Sequence, residues 1–197
     1  MKNAIKALNV FDFDGTLFQT FEPQVGKSIW EKYYNKQYPY HGWWGRPESL
    51  DLNVFNIKPF PSVLNQLNSA NATPNTYVII LTSRVEKLRL YVQAVLDKNN
   101  IIVNKLDMKH AKGDKGVKLL RYIDQFPELE VINVYDDRES DILAYKNVRN
   151  RISNRIEFNI YQVDQGKFAL IECKKNWNIV NIIFNEIRKF VCNEVVK

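Results

Sequence analysis

Residues 8 to 18 read Leu8-Asn9-Val10-Phe11-Asp12-Phe13-Asp14-Gly15-Thr16-Leu17-Phe18, an apolar run closed by two aspartates two apart and then Gly-Thr. In a strand, side chains at i and i+2 share a face, so Asp12 and Asp14 project together where the strand stops. Gly15 lets the chain turn there. Two carboxylates at one strand tip suit a hard cation such as Mg²⁺, or a division of labour between nucleophile and general acid/base. The plainer alternative is a capped turn in which Asp14 and Thr16 bond local backbone. Which holds depends on what else the chain brings to the same place.

Three later clusters are candidates. Thr82-Ser83-Arg84 follows the apolar run Tyr77 to Leu81. A hydroxyl and the backbone N–H groups of a strand-to-helix turn suit phosphate oxygens, although Thr82 or Ser83 would also serve as a simple helix cap. Asp114-Lys115-Gly116-Val117-Lys118 opens a helix. Asp114 and Lys118, one turn apart, form either a surface ion pair or a positioned point charge for a phosphoryl group. Asp136-Asp137 ends the apolar run Val131 to Tyr135. Adjacent carboxylates repel unless a cation joins them, which favours a completed Mg²⁺ site.

The elements that must position these residues alternate. Strands are expected at about 4–13, 77–81, 101–108, 131–135, 156–163 and 167–172. Helices are expected at 24–36, 61–69, from Arg84 to about Leu96, over 114–126 with Val117, Leu120 and Ile123 inward, up to about Val148, and over 177–191. Strands alternating with helices predict an α/β protein with a mostly parallel sheet between two helical layers, and sites in such sheets lie at the carboxyl ends of strands. A turn-rich aromatic loop, Tyr38 to Pro47, carries Trp43 and Trp44.

The chain has 197 residues, 45% of them hydrophobic, enough for one domain over 1–197 with a small cap-like insertion at 18–75. Net charge +6 and a pI near 9.2 fit an anionic partner such as nucleic acid or a phosphorylated molecule. Cys173 and Cys192 have no metal-type spacing, which predicts reduced thiols in a cytoplasmic-type compartment. No apolar run reaches the roughly 18–20 residues of a membrane span. His41 and His110 have no partners at metal spacing, and the Asn71-Ala72-Thr73 sequon stands without any other sign of secretion.

Taken in order, the clusters resemble the four motifs of the haloacid dehalogenase (HAD) superfamily of aspartate-nucleophile phosphotransferases. Val10 to Leu17 is similar to its first motif, Leu81-Thr82-Ser83-Arg84 to the second, Lys118 to the third and Tyr135-Asp136-Asp137-Arg138 to the fourth. The likeness spans about residues 5 to 150. Asp114-x-x-x-Lys118 with Asp136-Asp137-Arg138 resembles the phosphatase half of polynucleotide kinase-phosphatase enzymes. The Gly42-Trp43-Trp44 loop, with the second and fourth motifs, is similar to the Swiss Army Knife RNA repair-like HAD domain. The sequence departs from those relatives at Gln19, where an arginine is expected, at Ser83 for glycine and at Asp141 for histidine.

The resemblance implies a three-layer Rossmann-like HAD fold and attack by Asp12 on phosphorus, with Asp14 as acid and then base. It implies Mg²⁺ held by Asp12, the backbone carbonyl of Asp14 and one of Asp136 or Asp137, while Thr82 and Lys118 bind the phosphoryl oxygens. Ser83, Arg84, Asp114 and Arg138 are expected to help bind substrate. The small insertion leaves an open site, suited to a nucleic-acid end stacked on Trp43 and Trp44. Lys105, Lys109, Lys112 and Lys115, ahead of Lys118, are placed to track a phosphate backbone. The expected activity is removal of a terminal phosphate, on the 3′ side, in end repair. The alternatives are a phosphatase for nucleotides or other small phosphomonoesters, and a non-catalytic module that binds nucleic acid. No Gly-x-x-x-x-Gly-Lys-Ser/Thr occurs, so a kinase or ligase partner is expected to be a separate chain.

Overall fold

Among the described residues six strands form one sheet in the order β3 (Lys105–Lys109), β2 (Thr76–Val85), β1 (Ala7–Phe11), β4 (Val131–Asp136), β5 (Glu157–Asp164), β6 (Lys167–Lys174), in which every pair is parallel except β5 with β6. The computed structural model describes residues 4–109 and 114–174, so the helix expected over 177–191 and Cys192 lie outside the described residues. The helices are α1 (Pro23–Tyr34), α2 (Pro61–Ala72), α3 (Arg89–Lys98), α4 (Lys115–Gln125) and α5 (Glu139–Arg149). Pro23 and Pro61 open α1 and α2, positions where proline costs no backbone hydrogen bond.

The central strands are apolar on both faces because helices cover both. Leu8 and Val10 of β1, with Ile79 and Leu81 of β2, pack against Leu119 and Tyr122 of α4 and Ile142, Tyr145 and Val148 of α5. Phe11, Val78 and Ile80 face the other way, onto Val63 and Leu67 of α2, Val92 and Val95 of α3 and Trp30 of α1. The expected three-layer architecture is therefore present, with the strands and helices expected within the described residues falling near their places.

Two ladders fix the parallel register. Asn133 donates to Asn9 and Asn159 donates to Asn133, each at 3.0 Å, across in-register positions of β1, β4 and β5. Two residues on, Phe11 stacks on Tyr135 at 4.7 Å and Tyr135 on Tyr161 at 4.5 Å. A slip by one residue would reverse every one of these side chains across the sheet.

One expectation fails at β2. Thr82-Ser83-Arg84 is the strand's last stretch and not the turn after it, since β2 continues to Val85. Alternation buries Thr82 and Arg84 and exposes Ser83. Among the described residues no helix is long and apolar enough to cross a membrane.

Candidate active site

The carboxyl ends of β1, β2 and β4 meet at one edge of the sheet, and the motif residues meet with them. Asp12 follows β1 directly, its N–H donating to the Tyr135 carbonyl at 3.0 Å. The chain then closes one wide turn, Leu17 N–H to Asp12 O at 3.2 Å and Phe18 N–H to Phe13 O at 2.9 Å. Gly15 sits in that turn at φ +71°, and a Cβ there would collide with the Asp137 carboxylate. Thr16 is buried beneath and donates to Asp137 Oδ1 at 3.3 Å.

One oxygen from each of Asp12, Asp136 and Asp137 lies within 4.8 Å of the others. Lys115 enters this group from α4: its Nζ is 2.6 Å from Asp12 Oδ1, 2.7 Å from Asp136 Oδ2 and 3.1 Å from Asp141 Oδ2. Tyr145, fully buried, donates to Asp136 Oδ2 at 3.2 Å, and the Arg138 N–H donates to Asp136 Oδ1 at 3.1 Å. Asp137 is the least buried of the three.

Burial makes this cluster hold protons. It pushes the Asp12 carboxyl up to about 7, because desolvation and the neighbouring Asp136 and Asp14 charges together exceed the pull of Lys115. Asp137 is pushed up to about 6, chiefly by burial and then by Asp12. Asp136 is raised by burial as well. Burial alone would lower the Lys115 ammonium, but Asp12, Tyr145, Asp136 and Asp141 raise it, and it ends well above its ordinary value. Carboxylates thus outnumber cations in a water-poor pocket. An all-oxygen donor set with excess negative charge fits a hard divalent cation such as Mg²⁺.

Four expectations are corrected. Lys118, expected as a free point charge, is paired: its Nζ lies 2.5 Å from Asp107 Oδ1 and 2.5 Å from the Met108 carbonyl, on the β3 side, although it still lines the hollow that holds Thr82 and Lys115. Side chains lean toward a helix's N-terminus, so the first-turn Lys115 overhangs the strand tips while Lys118 falls against the edge strand. Asp114 is the N-cap of α4, accepting from Val117 N–H at 2.8 Å, and does not orient Lys118. Trp43 is 2% exposed, packs on Gly26 of α1 and donates Nε1–H to the Phe21 carbonyl at 2.8 Å, so it is core. Arg84 is buried and points at Asp14, with Nε 2.8 Å from Oδ2 and Nη2 2.8 Å from Oδ1. It also donates to Ser49 Oγ at 2.8 Å and to the Trp44 carbonyl at 3.2 Å, and its guanidinium lies over the Phe13 and Trp44 rings. It is a scaffold for Asp14 and for the aromatic loop rather than a free donor to substrate.

Lys115, expected to track a phosphate backbone from the surface, is instead buried among these carboxylates, and Asp141 and Tyr145 join it without a role having been expected for them. The signal for Lys115 was the other stripe of α4: Lys115, Leu119 and Tyr122 recur at i, i+4 and i+7 and are buried, whereas Val117 is 43% exposed.

A cleft of about 500 Å³ opens over Asp12 and Asp14. Trp44 and Glu22 line one side, and Ser83, Lys109 and Arg138 contribute elsewhere. Thr82, Asp114, Lys115 and Lys118 line an adjoining hollow of about 220 Å³. Thr82, Ser83, Trp44 and Arg138 line these two cavities. The Asp14 carboxylate belongs to the cleft and to Arg84, and is not part of the three-carboxylate cluster.

No protein-family model matches the chain. An uncharacterized protein of Saccharomyces cerevisiae, YMR265C, is 23% identical over 171 residues, covering 74% of this chain. The match takes in 37% of the yeast protein, so the chain spans little more than a third of that relative's length. The HAD domain of the effector protein Lem4 from Legionella pneumophila superposes with TM-score 0.57 at 18% identity, over 84% of this chain and 90% of that one. An inactive mutant of the same domain gives 0.55 at 17% identity, over 99% and 100%. A haloacid dehalogenase-like hydrolase from Streptococcus pneumoniae gives 0.50 at 13% identity, over 78% and 83%. At these identities the likeness establishes the fold: the chain folds as a HAD-type α/β domain.

Proposed function

We propose that this protein is a Mg²⁺-dependent phosphomonoester hydrolase of the HAD superfamily, with Asp12 as nucleophile and a nucleic-acid end as substrate. The observation that carries the reading is the buried group in which Asp12, Asp136 and Asp137 converge on one point beside Lys115. A structural ion pair has no need of three carboxylates whose mutual repulsion and desolvation force them to retain protons.

Asp12 Oδ attacks phosphorus in line, the bond to the leaving oxygen breaks, and Asp14 delivers a proton to that oxygen. Water then attacks the aspartyl-phosphate, Asp14 takes the water's proton, and inorganic phosphate leaves with Asp12 restored. Lys115 fixes the Asp12 carboxylate and places positive charge beside the transferring oxygens. The buried Thr82 hydroxyl, which accepts from the Arg84 N–H at 3.1 Å, has its proton free to donate to a phosphoryl oxygen. Arg84 holds Asp14 toward the cleft. Asp12, Asp136, Asp137 and the Asp14 carbonyl are the groups that would hold Mg²⁺, which supplies the charge needed for a phosphate dianion to approach carboxylates.

The nucleic-acid preference rests on the cleft's combination of the Trp44 ring with the Lys109 and Arg138 cations, and on the chain's net charge of +6. The test is inorganic phosphate release from oligonucleotides ending in 3′- or 5′-phosphate, from mononucleotides and from p-nitrophenyl phosphate, with Mg²⁺ or with chelator. Turnover of oligonucleotide ends that requires Mg²⁺ and is lost in Asp12→Asn supports the proposal. Release that survives Asp12→Asn in folded protein refutes the nucleophile, and activity confined to small phosphomonoesters refutes the substrate.

A further inference from the structure

The cleft over Asp12 is lined by an aromatic ring, Trp44, and by two cations, Lys109 and Arg138, as well as by carboxylates, and that combination bears on what the leaving group carries. Glu22 and Trp44 stand on the side of the aromatic loop. Lys109 ends β3, Arg138 is the N-cap of α5, and Ser83 is exposed on the last stretch of β2. Ser83, Lys109 and Arg138 line both the main cleft and the hollow beside it, so they form the seam between the two.

Depth separates these cations from the ones at the phosphoryl position. Lys115 is bound to Asp12, Asp136 and Asp141, Lys118 to Asp107 and Arg84 to Asp14. Lys109 has no hydrogen-bond or ion-pair partner among the described residues. The nearest carboxylate to Arg138 is Asp141 at 3.9 Å, and its side chain is 55% exposed. A phosphate over Asp12 meets Thr82 and Lys115 at the floor, so its leaving group extends outward past the rim. An anion on that leaving group is attracted by Lys109 and by the exposed, only loosely paired Arg138, while a flat ring is accommodated on Trp44.

We propose that Ser83, Lys109 and Arg138 form a subsite for a second phosphate, one nucleoside away from the phosphate over Asp12. This rests on the phosphatase reading above and names the chemistry of its substrate: a nucleotide bearing two phosphates, or a strand whose penultimate phosphodiester takes the second position. Binding is best measured in the Asp12→Asn background with Mg²⁺ present, so that it does not depend on turnover. The ligands are a nucleoside 3′,5′-bisphosphate, a dinucleotide ending in 3′-phosphate, a nucleoside 3′-monophosphate and an acidic phosphopeptide. The two-phosphate ligands are expected to bind about tenfold tighter than the monophosphate, the worth of one charge-assisted contact pair. Adding Lys109→Ala and Arg138→Ala is expected to erase that advantage.

A gain seen with the bisphosphate alone identifies a nucleotide, and one shared by the dinucleotide identifies a strand. Equal affinities in the parent, an advantage that survives the double substitution, or a Lys109- and Arg138-dependent gain found only with the phosphopeptide each overturn the subsite. Failure of the wild-type protein to hydrolyse any phosphomonoester overturns the underlying reading instead, whatever the binding data show.

Discussion

Lys115→Met is the substitution that separates the structure's account of the site from the motif reading most sharply. The ammonium is 4% exposed and sits 2.6 Å from Asp12, 2.7 Å from Asp136 and 3.1 Å from Asp141. Methionine keeps most of the stem volume, so the change removes charge with little change in packing. Removing one partner of a buried ion pair costs about 3–5 kcal/mol, because the charges left behind stay desolvated. Here the stranded carboxylates take up protons in part, which places the loss near the lower figure, about 3 kcal/mol. For a chain of this size each kcal/mol moves the melting temperature by about 2–4 °C, so a fall of roughly 6–12 °C is expected. Mg²⁺ is expected to recover more stability in Lys115→Met than in the wild type, since it replaces the missing charge. Phosphate release is expected to fall by about 10²–10³, the range for losing one positioned electrostatic stabiliser. The control is Lys118→Met, which loses only the Asp107 and Met108 contacts at the sheet edge and should retain most of its turnover. Thermal melts followed by phosphate-release assays on both variants decide the matter. An active, wild-type-stable Lys115→Met beside an inactive, folded Lys118→Met would refute the reasoning.

The remaining expectations follow from the same geometry. Asp12 and Asp137 hold protons up to about pH 7 and about pH 6 in the folded chain, whereas an unfolded aspartate releases its proton near pH 4, at about 3.9. The folded state therefore binds more protons across that window, and in chelator the urea midpoint should fall as pH rises from about 4 to about 7. Mg²⁺ competes with those protons, so the shift it produces should grow over the same range; a flat profile in chelator would contradict the pKa assignment. Trp43→Ala should cost about 3–5 kcal/mol of stability, as expected of a fully buried aromatic, and Trp44→Ala much less. Denaturant melts check this, and equal losses would contradict the placement of the two rings. Arg84→Lys keeps the charge but not the bidentate fork on Asp14, and should lower kcat by more than it raises KM. A pure KM effect in steady-state kinetics would return Arg84 to substrate binding.

What the sequence made legible was the backbone plan and the strand tips. Runs such as Tyr77 to Leu81 and Val131 to Tyr135 are apolar throughout because both faces are covered, and each ends where chemistry-bearing residues begin. Asp12, Thr82, Asp136 and Asp137 could be found from position alone, since topology carries every parallel strand's carboxyl end to one edge. Side-chain reach from helices was not legible in the same way. In α4 the stripe Val117, Leu120 and Ile123 competes with Lys115, Leu119 and Tyr122 for the inward face. The carboxylates at the strand tips accept the Lys115 ammonium and so draw that stripe inward. Arg84 failed for a related reason: nothing local says that a buried arginine on β2 will be met by Asp14, 70 residues earlier. Trp43 and Trp44 are adjacent and of one type, and only Gly26, which leaves room for the Trp43 ring, separates core from cleft.

The most direct measurement is acid quenching of the wild-type protein during turnover of a phosphorylated oligonucleotide with Mg²⁺, followed by peptide mass spectrometry. The account predicts a transient phosphoryl adduct on the Asp12 side chain, absent in Asp12→Asn and in chelator. Turnover without any adduct on Asp12, or with the adduct on another residue, would contradict it.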